Sequence, residues 1–182
     1  MDIERAWRTL HEAELVHDEP AVHAALERMA GDISQALAAR NPLVLCVMGG
    51  SVVFTGHLLT RLRFPLEFDY LHVTRYDGTT RGGTLSWKVL PRQPVAGRPV
   101  LVLDDILDEG TTMAAIRERL LADGAQSVHI AVFADKATGR RKPVTPDFVG
   151  LTVPDRYVFG FGMDVEGMWR NLPAIYALRG EA

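Results

Sequence analysis

Between residues 100 and 112 the chain reads Val100-Leu101-Val102-Leu103-Asp104-Asp105-Ile106-Leu107-Asp108-Glu109-Gly110-Thr111-Thr112, an apolar run that leads into four carboxylates and then a glycine with two threonines. A continuous apolar run suits a strand buried on both faces of a parallel sheet. In open α/β sheets ligands bind at the carboxyl ends of the strands, and a helix start preceded by Gly and small hydroxyl residues offers free backbone N–H groups to a phosphate. Taken alone, an acidic pair is an ordinary solvated turn. Here Asp104, Asp105, Asp108 and Glu109 crowd one another, and such like charges need a hydroxyl ligand or a hard cation to compensate them. Magnesium suits the place, because it prefers carboxylate, water and substrate oxygens. A phosphate beside vicinal hydroxyls is a sugar phosphate. No Gly-Lys-Thr or Gly-Lys-Ser occurs, which argues against a nucleoside triphosphatase loop.

The remaining chain supplies a scaffold for such a site. Its 182 residues, 47% of them hydrophobic, suffice for one domain with a core that needs no staples. The formal charge of -3 argues against broad nucleic-acid binding, which requires a basic surface. Cys46 is the only cysteine, so no intrachain disulfide can form and a reducing compartment, the cytoplasm, is expected. No apolar run approaches the roughly 20 residues of a membrane span, and Met1 to Arg5 lacks the basic start and apolar block of a signal peptide. A soluble protein with no membrane partner is expected.

From Val22 onward, Ala25, Leu26, Met29, Ile33 and Leu37 recur at helical spacing behind Pro20, a first-turn proline. Asn41-Pro42 ends that helix. Leu43 to Met48 reads as a buried strand, Gly49-Gly50-Ser51 as a turn and Val52 to Leu62 as a helix. Leu66 to Val73 alternates as a partly exposed strand, and residues 75–98 break the rhythm with a polar, glycine-rich loop and a short hairpin at Leu85 to Leu90. After residue 112 a helix carries Met113, Ile116 and Leu120 to Asp123-Gly124, and Val128 to Phe133 forms another apolar strand ending in Asp135-Lys136. Strands alternating with helices predict a mostly parallel central sheet flanked by helices. The terminal segments predict a cap over its carboxyl edge. The basic run Arg140-Arg141-Lys142 reads as a solvated loop.

The stretch from Val100 to Thr112 resembles the phosphoribosyl-diphosphate motif of the type I phosphoribosyltransferases, and the pieces from about Leu43 to Leu178 resemble their 6-oxopurine branch, the hypoxanthine-guanine phosphoribosyltransferases. The resemblance implies the type I fold in a single domain over residues 1–182, with a core of about 40–140 and a small hood from about 1–20 and 145–182. It implies that Asp104 and Asp105 hold the ribose hydroxyls, that Glu109, Gly110, Thr111 and Thr112 cradle the 5′-phosphate, and that Asp108 is the general base toward purine N7. Met48-Gly49-Gly50 resembles the diphosphate loop, with Met48 where many members carry Lys or Arg. Arg75-Tyr76 resembles the Ser-Tyr that opens a mobile catalytic lid, with Arg75 in place of Ser.

Lys136 matches the family lysine that donates to the purine 6-oxo group. Tyr157, Val158, Asp164 and Arg170, in the run Tyr157 to Asp164 followed by Trp169 to Pro173, match the stacking aromatic, the base-binding backbone, the residue near the purine edge and a second magnesium, and the diphosphate arginine. The implied activity is purine salvage: transfer of phosphoribosyl from phosphoribosyl diphosphate to hypoxanthine or guanine, giving IMP or GMP and diphosphate. Magnesium is the implied cofactor, held by Asp104, Asp105 and Asp164, and a homodimer or homotetramer is the implied assembly. The alternatives are a xanthine-preferring enzyme and a regulatory homologue that binds nucleic acid.

Overall fold

The computed structural model describes residues 1–75 and 85–180. Its centre is a sheet of six strands, β2 (Leu43–Met48), β3 (Glu67–Arg75), β4 (Leu85–Val89), β5 (Pro99–Leu107), β6 (Ser127–Ala137) and β7 (Phe148–Pro154), in the spatial order β4-β3-β2-β5-β6-β7. Every neighbouring pair is parallel except the antiparallel edge pair of β3 and β4. Strand β1 (Glu14–His17) belongs to a second sheet with β8 (Val158–Phe159) and β9 (Ile175–Ala177), ordered β1-β9-β8. Both chain ends therefore build the small sheet, as the hood reading expects.

The apolar run of β5 is continuous because both of its faces are covered. Leu101 and Leu103 join a cluster with Leu26, Met29 and Ile33 of α2 (Glu19–Leu37) and Phe54 and Leu58 of α3 (Val52–Leu59). Val100 and Val102 point the other way, into a cluster with Met113, Ile116 and Leu120 of α4 (Thr111–Ala122). Period-two alternation thus sends successive apolar residues into two different cores. Helix α2 begins as its sequence suggests: Asp18 caps it by accepting from the Ala21 N–H at 2.9 Å, with Pro20 in the first turn. The short helix α1 (Ile3–Glu12) is capped in the same way by Asp2.

Two expectations need correction, and the alternation of β3 gains a defined buried face. Strand β5 runs to Leu107 and β6 to Ala137, beyond the apolar runs that end at Leu103 and Phe133, so Asp104, Asp105, Asp135 and Lys136 lie within strands and not at their ends; the polar continuation carries no apolar signal, and its ladder partners are invisible in the sequence. The central sheet also continues past residue 140, since β7 pairs with β6 from Ala131↔Phe148 to Ala137↔Pro154. Pro143 and Pro146 punctuate the connection without ending the sheet. In β3 the inward face is Asp69, Leu71 and Val73, while Phe68 is exposed; alternation marks two faces but not which one is buried.

Gly150 of β7 lies so close to β6 that a Cβ there would meet the Phe133 carbonyl oxygen, with the Met29 sulfur and the Phe133 ring at 3.0 Å. We expect Gly150→Ala to lower the unfolding free energy by about 2 kcal/mol through overpacking. Urea denaturation measures this, and an unchanged midpoint would show that β7 shifts aside freely.

Candidate active site

The carboxyl end of β5 carries Asp104 and Asp105 into the floor of a cleft of about 500 Å³. Each is pinned by the next backbone N–H, Asp105 N to Asp104 Oδ1 at 3.1 Å and Ile106 N to Asp105 Oδ1 at 2.9 Å. Burial raises the Asp104 carboxyl well above its ordinary value, and the charge of Asp105 adds to this. Burial also raises Asp105, opposed by a hydrogen bond from Asp104 and by the Arg170 cation. Gly50 makes the approach possible: a Cβ there would land on the Asp105 carboxylate. Beyond Asp108 and Glu109 the chain turns at Gly110, whose φ of 79° is left-handed, and α4 begins at Thr111. The cleft is lined by Met48, Gly50, Asp104, Asp105, Asp108, Glu109, Gly110, Thr112, Asp164 and Arg170, among others.

A smaller cavity of about 250 Å³ adjoins it, lined by Asp105, Ile106, Asp108, Lys136, Tyr157, Val158, Met163 and Asp164. Lys136 Nζ stands 2.5 Å from Asp108 Oδ2, so a cation donor and an acceptor sit side by side in its wall. Tyr157 is half exposed, and its hydroxyl donates to the Asp164 carbonyl at 3.1 Å; burial and then the Asp164 charge raise its pKa. Asp164 itself pairs with Arg170 Nη2 at 2.5 Å and accepts from Gly167 N at 2.7 Å. Arg170 Nη1 also donates to the Gly162 carbonyl.

The structure thus brings together most of the residues singled out in the sequence. Gly49 and Thr111 are exposed beside the cleft without lining it. Arg75 ends β3, and Tyr76 lies outside the described residues. Lys142 was expected in a solvated loop and is instead largely buried: its Nζ donates to the Leu107 and Lys136 carbonyls at 2.7 Å each and pairs with Asp135 at 2.5 Å. It ties the ends of β5 and β6 together beneath the Asp108–Lys136 pair. Nothing in the run Arg140-Arg141-Lys142 distinguishes it, because its partners are distant in sequence or are backbone atoms.

The residues fit a magnesium ion that arrives with phosphate oxygens. Asp104 and Asp105 are hard oxygen donors whose shared burial favours a compensating cation. Among the described residues no group of three or more His, Cys, Asp or Glu side chains is placed to hold a metal ion by itself. Among the described residues, no helix is long and apolar enough to cross a membrane.

A carboxylate pair and a phosphate-ready helix start at the carboxyl edge of a parallel sheet, beside a slot flanked by an aromatic ring, form the layout of a transferase that handles a sugar phosphate and a planar ring. Residues 12–166 match the family described as phosphoribosyl transferase domain, and the chain belongs to that family. It is 34% identical over 168 residues to a hypoxanthine-guanine phosphoribosyltransferase of Lactococcus lactis subsp. lactis, covering 92% of this chain and 91% of the relative. It is 31% identical over 166 residues to a hypoxanthine-guanine-xanthine phosphoribosyltransferase of Tritrichomonas foetus, covering 91% of each. A hypoxanthine phosphoribosyltransferase structure from Staphylococcus aureus shares the fold with a TM-score of 0.88 at 24% identity, covering 98% of this chain and 97% of that one.

The raised Asp104 carboxyl has a definite consequence for stability. Its folded pKa lies above the ordinary 3.8, so the native state holds that proton more tightly than the unfolded chain does. The resulting stabilisation is complete below the unfolded value and is lost as pH rises through the higher folded value. In metal-free protein, Asp104→Asn should therefore raise the melting temperature at neutral pH, and the gap over wild type should shrink on acidification. Thermal melts across the acid-to-neutral range test this; a gap constant with pH would contradict it.

Proposed function

We propose that this chain transfers the phosphoribosyl group of phosphoribosyl diphosphate to N9 of hypoxanthine or guanine, releasing diphosphate. The observation that carries this reading is the Lys136–Asp108 pair, 2.5 Å apart in the wall of the smaller cavity, with Asp108 also lining the cleft. An adjacent cationic donor and anionic acceptor complement the adjacent 6-oxo and N7–H groups of a 6-oxopurine. Adenine would turn an amino group toward an ammonium that needs an acceptor, leaving both unpaired. The relatives from Lactococcus lactis and Tritrichomonas foetus, named for hypoxanthine and guanine, support the same assignment.

In this reading the purine lies in the smaller cavity against Tyr157, with the Val158 backbone at its edge, and the ribose and phosphates fill the cleft. Asp104 and Asp105 accept from the ribose hydroxyls, while Gly110, Thr111 and Thr112 with Glu109 surround the 5′-phosphate at the start of α4. As the anomeric carbon loses its bond to diphosphate, positive charge grows beside the cleft's carboxylates. N9 attacks and Asp108 accepts the N7 proton, with Lys136 holding the 6-oxo group. Arg170 and the backbone of Met48, Gly49 and Gly50 face the diphosphate. Magnesium held by Asp104, Asp105 and Asp164 supplies charge neutralisation to that leaving group. The segment that begins at Arg75 and Tyr76 is assigned the exclusion of water. A single-domain, cytoplasmic homo-oligomer completes the proposal.

Initial rates with hypoxanthine, guanine, xanthine and adenine test the reading directly. Turnover of hypoxanthine or guanine well above adenine is expected. A preference for xanthine would move the assignment within the family, and specific RNA retention without purine-dependent diphosphate release would replace it with a regulatory nucleic-acid-binding role. Asp108→Asn should lower kcat by on the order of 100-fold with far smaller changes in substrate binding; near-normal turnover would remove Asp108 as the base.

A further inference from the structure

We propose that the first helix, α1, is a positioning element for the diphosphate end of the site, acting through Glu166 and Trp169 on the Asp164–Arg170 pair. This inference rests on the functional reading above and extends it to residues that touch no substrate. Asp164 and Arg170 stand at the two feet of one tight loop. Across it, Val165 and Met168 exchange two backbone hydrogen bonds of 3.0 Å, and Gly167 N closes onto Asp164 Oδ2. A shift of this loop moves both side chains of the pair.

Two non-glycine residues of the loop are left-handed, Glu166 with φ 49° and Trp169 with φ 70°. Such a conformation persists where surrounding structure over-determines it. The residues that hold these two come from the N-terminal segment. Arg5 of α1 meets Glu166 at 2.5 Å, with the Met1 ammonium at 3.6 Å. The Trp169 indole N–H donates to the Ala6 carbonyl at 3.0 Å, and the Trp7 ring meets the Trp169 ring edge-on, centroids 5.0 Å apart. The strained positions and the gripped positions are the same two residues.

A cavity of about 390 Å³, lined by Ile3, Trp7, Met168 and Asn171, lies between helix and loop, and Arg170 is a wall of both this cavity and the substrate cleft. The loop has space into which it would relax if α1 let go. Asp164 also borders the purine cavity, where its carbonyl accepts from Tyr157, but Lys136 and Asp108, which carry the 6-oxo and N7 contacts in the functional reading, are held by β6 and the end of β5 and have no contact with α1 among the bonds described. Loss of the grip should therefore weaken the phosphate end of the site more than the purine end.

The test compares Trp7→Ala, Trp7→Phe and Trp169→Phe with wild type, by calorimetric titration of phosphoribosyl diphosphate with magnesium and by separate KM values for the two substrates. Trp7→Ala should weaken phosphoribosyl diphosphate binding by up to about 10-fold, the upper end of what one edge-on aromatic pair contributes, while the KM for hypoxanthine stays within about twofold. Trp7→Phe should restore most of the affinity, and Trp169→Phe, which keeps a ring but loses the N–H to Ala6, should move in the same direction as Trp7→Ala. Should Trp7→Ala fail to fold, Trp169→Phe decides alone. A lower melting temperature with unchanged phosphoribosyl diphosphate affinity, or equal weakening of both substrates, overturns the positioning role and leaves the enzyme assignment intact. A wild-type chain that binds no phosphoribosyl diphosphate overturns the assignment itself and this inference with it.

Discussion

Asp104 and Asp105 lie side by side below the surface in the middle of a parallel sheet, and much of the surrounding site answers the cost of burying two like charges. Their backbone belongs to β5, whose ladder with β2 ends at Leu103 while that with β6 continues to Leu107, so the pair is anchored through β6. Local N–H groups satisfy one oxygen of each. Gly50 yields the space that a side chain would deny to Asp105, and Arg170 brings a cation to the same wall. What remains uncompensated is negative potential facing a cleft, which favours a metal ion with a polyanionic sugar.

The same economy governs the neighbouring cavity. Lys136 is largely shielded from solvent, as is Lys142, and a shielded ammonium needs acceptors on several sides. Lys142 finds them in two strand-end carbonyls and Asp135, which fixes the backbone on which Lys136 is mounted. Lys136 finds one in Asp108. Any ring that displaced this pairing would have to supply an acceptor to the lysine and a donor to the carboxylate at once, and under the proposed function the pair would act as a filter before any chemistry occurs.

How much of this was legible in the sequence depends on where the partners lie. Val100 to Leu103 announced a doubly covered strand because both faces bury apolar residues, and Gly110 announced a turn because its backbone conformation is rare for other residues. Glu14 to His17 and Ile175 to Ala177 form strands of four and three residues, too short to show a period, and they are fixed by pairing with each other and with β8. The buried face of β3 is set by its neighbours: Asp69 turns inward to accept from the N–H groups of Tyr70, Arg92 and Gln93. Burial opposes its ionisation, yet these bonds outweigh it and lower its pKa. An inward aspartate is the opposite of what polarity alone predicts.

The hood follows a related logic. Gly162, with φ 103°, brings its chain so near the Met48-Gly49-Gly50 loop that a Cβ would strike the Gly50 carbonyl. Gly50 in turn abuts Asp105, so the loop is held between the sheet's acidic floor and the C-terminal segment. Two residues past Gly162 stands Asp164, and Arg170 donates back to the Gly162 carbonyl. A rigid carboxylate floor and a loop pressed onto it from above form two jaws, and the upper jaw is anchored where Trp169 meets α1. The packing that covers Asp105 thus runs through Gly50 and Gly162 to a segment whose Trp169 is anchored on the first helix of the chain.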